Sequence, residues 1–130
     1  MAIEKKDVVS FVIPTLNSGR TLEACLTAIF SQRAPRETYE VVIADAGSSD
    51  DTVQIARRMG VDAIVDNPLK TGEAGKTAGI KVSVGELIAL VDSDNILPDE
   101  HWLERMIAPF QDRDIVASEP IEYTSRRGDP

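Results

Sequence analysis

The sequence has few of the residues that build disulfide or zinc sites. Its 130 residues include a single cysteine, Cys25, and a single histidine, His101. One cysteine cannot form an internal disulfide, and so few Cys and His residues argue against zinc. Cys25 falls on the apolar face of a predicted helix, so we predict that it is a core residue. His101 precedes another apolar helical face and is not expected to take part in chemistry.

Long apolar runs and an excess of positive charge are also missing. No run approaches the roughly 20 apolar residues that a membrane-spanning helix needs, and the start MAIEKKDVV lacks the apolar segment of a signal peptide. The 14 Lys and Arg residues are outnumbered by 22 Asp and Glu residues, which gives a net charge of -8. Such a chain repels a polyanion, which argues against nucleic-acid binding. We predict a single cytoplasmic domain, 1–130, with an ordered core of about residues 8–118.

Strands and helices are predicted to alternate along the chain. Short β-branched or apolar runs predict strands at 8–13, 39–44, 63–65, 86–91 and 115–117. Apolar periodicity and start and stop signals predict helices at 22–30, 50–59, 74–84 and 102–110. Ser49 is the expected N-cap of the second helix, and the small residues of the third helix indicate close packing on a sheet. This alternation predicts an α/β fold, a doubly wound, mostly parallel sheet with helices on both faces.

Polar residues follow three of the predicted strands, where a parallel sheet brings the strand ends to one edge. These clusters are PTLN at 14–17, DAGS at 45–48 and DSDN at 92–95. Ligands of open α/β sheets bind at this edge. Asp92 and Asp94 are two apart, so in extended backbone their side chains share a face and can approach one cation. Mg²⁺ or Mn²⁺ suits such a pair, and the alternative is that both acids only cap the turn before Pro98.

Three segments carry a resemblance to a known family. They are VVSFVIPTLNSGRTLEACLTAIFSQ, YEVVIADAGSSDDT and GEAGKTAGIKVSVGELIALVDSDNILPDEHWLERM. In this order and spacing they resemble the nucleotide-sugar-binding half of family 2 glycosyltransferases, which have the GT-A fold. The resemblance runs from about Val8 to Ser118. It implies an inverting transfer of a sugar from a UDP- or GDP-type donor to an unknown sugar, lipid or protein acceptor, with Mg²⁺ or Mn²⁺ as cofactor.

The resemblance also implies roles for single residues. Asp45 is expected to accept a hydrogen bond from the nucleobase. Asp94 would bind the metal, while Asp92 would bind the ribose or reach the metal through water. Lys76 would place a cation near the diphosphate. The other residues expected to bind the nucleotide are Pro14, Thr15, Asn17 and Gly47.

Several of these roles have a plainer structural alternative. Asp45 could serve merely to cap the second helix through its loop, and Lys76 could be a solvated charge. Thr15 and Asn17 could be ordinary turn residues. The sequence also departs from the family pattern. A second acid is common where this chain has Ala46, and an Arg-Asn pair is common where it has Lys-Thr at 76–77.

Two other enzyme or signalling classes are disfavoured by the sequence. A nucleotidylyltransferase would need a Gly-rich, basic loop after the first strand, where PTLNSGRT has only Gly19 and Arg20. A phosphoacceptor receiver domain would need a Lys after its fifth strand, and 115–120 offers none. A non-catalytic module that binds a nucleotide or an ion without turnover stays open as the alternative.

The length of the chain bears on catalysis. Family 2 glycosyltransferases continue into an acceptor-binding half that supplies the general base. We therefore expect a truncated donor-binding module whose base lies beyond Pro130, with Glu119 and Glu122 as the alternatives inside the chain. Removing half of the domain would uncover apolar surface, which predicts a homodimer or a larger assembly.

Overall fold

The computed structural model describes residues 8–120. Four strands form one sheet in the order β3-β2-β1-β4, and each of its three pairings is parallel. The strands are β1 (Val9–Thr15), β2 (Tyr39–Asp45), β3 (Ala63–Asp66) and β4 (Leu87–Leu90). The helices are α1 (Leu22–Phe30), α2 (Thr52–Met59), α3 (Gly72–Val82) and α4 (Trp102–Ile107). The predicted parallel α/β sheet is confirmed.

The central strands β1 and β2 are buried along almost their whole length. Side chains alternate between the faces of a strand, and the register places Phe11 beside Val41 and Ile13 beside Ile43. These four residues join one hydrophobic core with the buried faces of α1, α2 and α4. Cys25 is a fully buried member of this core, as its position on an apolar helical face predicted.

Helix α3 covers the opposite face of the sheet. Its buried residues are Gly75 and Gly79. A Cβ atom at Gly75 would lie 2.9 Å from Cβ of Pro14, and one at Gly79 would overlap Cγ1 of Val12. These two glycines therefore allow α3 to pack directly on β1, which confirms the predicted reason for its small residues and the predicted helices on both faces.

Two local predictions were wrong. Residues 115–117 form no strand: Val116 is 90% exposed and Ile115 is 38% exposed, so this apolar run has no neighbour to pair with among residues 8–120. The second helix begins at Thr52, after the N-cap Asp51. Ser49 is not its cap, because the first intrahelical hydrogen bond runs from the N–H of Ile55 to the carbonyl of Asp51, at 2.9 Å.

Three helix boundaries also shift from their predicted positions, among them the end of α3, which is Val82 rather than residue 84. The α3 helix begins two residues early, because the Thr71 side chain accepts a hydrogen bond from the backbone N–H of Ala74 and caps it. The α4 helix ends at Ile107, and Pro109 lies in a 3₁₀ turn that follows. Between residues 8 and 120, no helix is both long and apolar enough to cross a membrane.

Candidate functional site

The carboxyl ends of β1, β2 and β4 border a cavity of about 330 Å³. Four residues that the sequence predicted for the site line it: Pro14, Thr15, Lys76 and Asp92. Four others do not: Asn17, Asp45, Gly47 and Asp94. A larger depression of about 620 Å³ lies at the opposite end of the sheet, near Val8 and Tyr39. Its Arg36 and Asp62 side chains are already paired at 2.7 Å, so we assign the site to the smaller cavity.

The Asp45 carboxylate is saturated by hydrogen bonds within the chain. Its Oδ1 accepts from Oγ1 of Thr15 at 2.7 Å and from Oγ of Ser48 at 2.6 Å. Its Oδ2 accepts from the backbone N–H groups of Gly47 at 3.1 Å and Ser48 at 2.8 Å. Burial opposes ionisation, but the four hydrogen bonds outweigh it and lower the pKa of Asp45. A nucleobase can bond to this carboxylate only if the Thr15 or Ser48 hydroxyl turns away.

Asn17 joins the loop after β1 to the loop after β2. Its backbone is left-handed, with a φ of 49°, a conformation that Asn adopts more readily than most residues. Its N–H donates to Oγ of Ser48 at 2.8 Å, and its Oδ1 accepts from the N–H of Ser49 at 2.8 Å and of Asp50 at 3.3 Å. Asn17 therefore supports the site from outside the cavity.

Asp92 and Asp94 present their carboxylates without any hydrogen bond or ion pair among the described residues. Their backbone forms a tight turn in which the N–H of Asp92 donates to Oδ1 of Asn95 and the N–H of Asn95 donates to the Asp92 carbonyl, both at 3.0 Å. Burial, together with the charges of Asp94 and Asp92, raises the pKa of the Cys25 thiol to about 11. The negative charges of both carboxylates therefore reach the Cys25 thiol on α1.

This acidic pair fits a cation such as Mg²⁺ or Mn²⁺. Two exposed carboxylates with unused oxygens are the donors that these ions take in proteins, which then add water and phosphate oxygens. Within residues 8–120 no cluster of three potential His, Cys, Asp or Glu ligands occurs. The remaining coordination positions would therefore have to come from a bound molecule and from water.

Lys76 places a positive charge on the cavity wall near Asp92. Its Nζ lies 3.0 Å from Oε1 of Glu73, one turn earlier on α3. The hydrogen bond and charge of Glu73 raise the pKa of Lys76, and Asp92 adds to this effect. A lysine between two acids in a cavity can exchange Glu73 for an anionic group of a ligand.

The segment before α3 and the first turn of that helix supply lining residues that the sequence did not predict: Asn67, Lys70, Thr71, Gly72 and Glu73. Asn67 is only 3% exposed, and its Nδ2 donates to the Thr71 carbonyl at 2.8 Å. Lys70 has a φ of 64°, which is uncommon for a residue other than glycine. The Asn-Pro turn signal at 67–68 and the capping Thr71 could have indicated this loop.

Of the two candidates for a general base inside the chain, Glu119 is not brought to the cavity. Glu119 is exposed and does not line it, and Glu122 lies outside the described residues. His101 is also absent from the lining and lies 3.3 Å from Glu104 and 3.4 Å from Glu100. The expectation that His101 takes no part in chemistry stays a prediction.

Comparison with known proteins places this geometry in a family. The family model described as Glycosyl transferase family 2 matches residues 10–129. Glycosyltransferase AglE of Haloferax volcanii is 32% identical over 92% of this chain and 41% of its own length. A poly(ribitol-phosphate) beta-glucosyltransferase of Bacillus spizizenii is 30% identical over 73% of this chain and 16% of its own length. The chain thus spans less than half of these relatives.

Solved structures agree on the fold. TarS 1–349 of Staphylococcus aureus in complex with UDP has a TM-score of 0.69 and 26% identity, covering 82% of this chain and 32% of TarS. A mannosyltransferase of Pyrobaculum calidifontis in complex with GDP-Man and Mn²⁺ has a TM-score of 0.66 and 26% identity, covering 77% of this chain and 32% of its own. The parallel sheet, the acidic turn after β4 and the family model agree, and the chain belongs to glycosyl transferase family 2.

Proposed function

We propose that this chain is the donor-binding part of an inverting glycosyltransferase that uses a UDP- or GDP-type sugar and a divalent metal. The observation that carries the proposal is the pair of unbonded carboxylates, Asp92 on the wall of the cavity that Lys76 also lines and Asp94 two residues further along the same turn. Solved relatives with bound UDP, or with GDP-Man and Mn²⁺, support the same ligand class.

The proposed roles follow from the family resemblance, and the charges of these side chains agree with them. Asp94 binds the metal, and Asp92 reaches the metal through water or binds the ribose. Lys76 leaves Glu73 and pairs with the diphosphate. When bound, the metal stabilises the negative charge that forms on the departing nucleotide diphosphate. Together these groups lower the free energy of the transition state in which the anomeric bond breaks.

The proposed nucleotide site uses the loops after β1 and β2. Pro14 and Thr15 line the cavity and would contact the base and the ribose. Asp45 accepts a hydrogen bond from the base after the Thr15 hydroxyl rotates away from Oδ1. Asn17 and Gly47 act indirectly, because they shape the two loops rather than the cavity wall.

The test is calorimetric titration of UDP and GDP into the chain, with Mn²⁺ and with EDTA. We expect Mn²⁺-dependent binding of one nucleotide and loss of that binding in Asp94→Ala. Asp114→Ala is the matched control, because its side chain is exposed and lies outside the cavity. Binding that persists in Asp94→Ala would refute the metal role, and no binding of either nucleotide would refute the donor site.

A non-catalytic nucleotide-binding module is the second candidate. It is favoured by the cavity lining, because Glu73 and Asp92 are its only acids among residues 8–120, and neither is a free general base under the roles proposed here. An assay of sugar transfer and donor hydrolysis separates the two candidates. The acceptor, a homodimer, a cytoplasmic location and the preference for Mg²⁺ or Mn²⁺ stay predictions.

A further inference from the structure

The turn that carries the acidic pair is tied to the loop before α1 by two serine hydroxyls. Oγ of Ser93 lies 2.9 Å from Oγ of Ser18, which is 75 residues earlier in the chain. Ser18 is 8% exposed, so its hydroxyl has little contact with water. A hydrogen bond shielded in this way loses less of its strength to solvent than an exposed one.

Ser18 is itself held rigidly. Its N–H donates to Oγ1 of the fully buried Thr52 at 2.8 Å. Its carbonyl accepts from the backbone N–H groups of Thr21 at 3.1 Å and Leu22 at 2.9 Å, at the start of α1. The Ser18 hydroxyl is therefore a fixed point from which the turn after β4 can be positioned.

A second contact holds the same turn. The Cys25 thiol, one helical turn into α1, donates to the Asp92 carbonyl at 3.7 Å. The Asp92 and Asp94 side chains make no bond of their own within the described part of the chain, so they are restrained only through the turn that Ser93, Cys25 and Asn95 hold. The two carboxylates also repel each other, and a loose turn would let them separate.

We infer that Ser18 and Ser93 are positioning residues that hold the two carboxylates at a separation suited to one divalent cation. This inference rests on the proposed function. The two hydroxyls would raise the affinity for the metal without touching it, because they hold the turn that carries its ligands. Preorganisation of this kind raises affinity because the turn loses less freedom when the ion binds.

The test is titration of Mn²⁺ alone, and then with UDP present, followed by the electron paramagnetic resonance signal of free Mn²⁺. We expect Ser18→Ala and Ser93→Ala each to weaken Mn²⁺ binding by about threefold to tenfold, the range of one hydrogen bond. The double variant should be no weaker than either single variant, because both changes remove the same bond. Ser93→Thr keeps the hydroxyl and should bind Mn²⁺ as the native chain does.

The matched control is Ser31→Ala, which removes an exposed 2.7 Å hydrogen bond to Thr27 at the end of α1. Thermal unfolding is measured for every variant, because a merely structural role would lower the melting temperature and leave Mn²⁺ affinity unchanged. Equal Mn²⁺ affinity in the native chain and Ser93→Ala would overturn the inference, as would an equal loss in Ser31→Ala. A native chain that binds Mn²⁺ but neither UDP nor GDP would overturn the proposed function alone, and one that binds no Mn²⁺ would overturn both.

Discussion

Substitution of Gly79 by alanine tests the packing of α3 on the sheet. Gly79 is one of two buried residues of this helix. The added methyl group would overlap Cγ1 of Val12, a fully buried residue of β1. Val12 cannot move away easily, because its β-branched side chain is stiff and both neighbouring strands enclose it. The substitution therefore overpacks the interface that supports the cavity.

Two opposing effects set the size of the change in the free energy of unfolding for Gly79→Ala. Alanine is a better helix former than glycine by about 1 kcal/mol in a helix interior. Overpacking a buried contact costs about 1–3 kcal/mol, and the overlap with a stiff valine supports a value of about 2 kcal/mol. The expected net loss in the free energy of unfolding is about 1 kcal/mol, which lowers the melting temperature by about 4 °C for a domain of this size.

Urea unfolding followed by circular dichroism measures the loss. Gly72→Ala is the control, because a Cβ at this first residue of α3 has no heavy atom within 4 Å, and it should be neutral or slightly stabilising. In a Val12→Ala background the obstructing methyl groups are gone, and Gly79→Ala should become stabilising there. The reasoning is refuted if Gly79→Ala stabilises the native chain as much as Gly72→Ala does.

Three further predictions concern charge and assembly. Because the hydrogen bonds of the folded chain lower the pKa of Asp45, Asp45→Asn should lower the free energy of unfolding by about 1–3 kcal/mol at neutral pH. That cost should shrink as the pH falls below about 4, and a cost that does not change with pH in urea unfolding would contradict it. Glu73→Gln should strengthen UDP binding about twofold at low salt and less at high salt, because it removes a negative charge beside Lys76; calorimetry showing weaker binding would contradict this. The edge strand β4 exposes Ile88 and Leu90, so light scattering should report a dimer, and a monomer at high concentration would count against it.

Local patterns in the sequence determined the fold class and the general position of the site. The apolar runs of β1 and β2, the periodic face of α1 and the two-residue spacing of Asp92 and Asp94 depend only on near neighbours, so they can be read directly. The resemblance to family 2 glycosyltransferases rests on the same segments. The predicted strand at 115–117 was wrong because an apolar run forms a strand only when it packs beside another strand, and this run lies exposed instead.

Tertiary structure alone decided which side chains meet. Asp45 could be predicted for the site, but the saturation of its carboxylate depends on Thr15, which β1 brings beside it through the sheet register. The contact between Ser18 and Ser93 spans 75 residues and leaves no local signal. Such contacts depend on how distant loops pack together, and short-range sequence patterns do not carry that information.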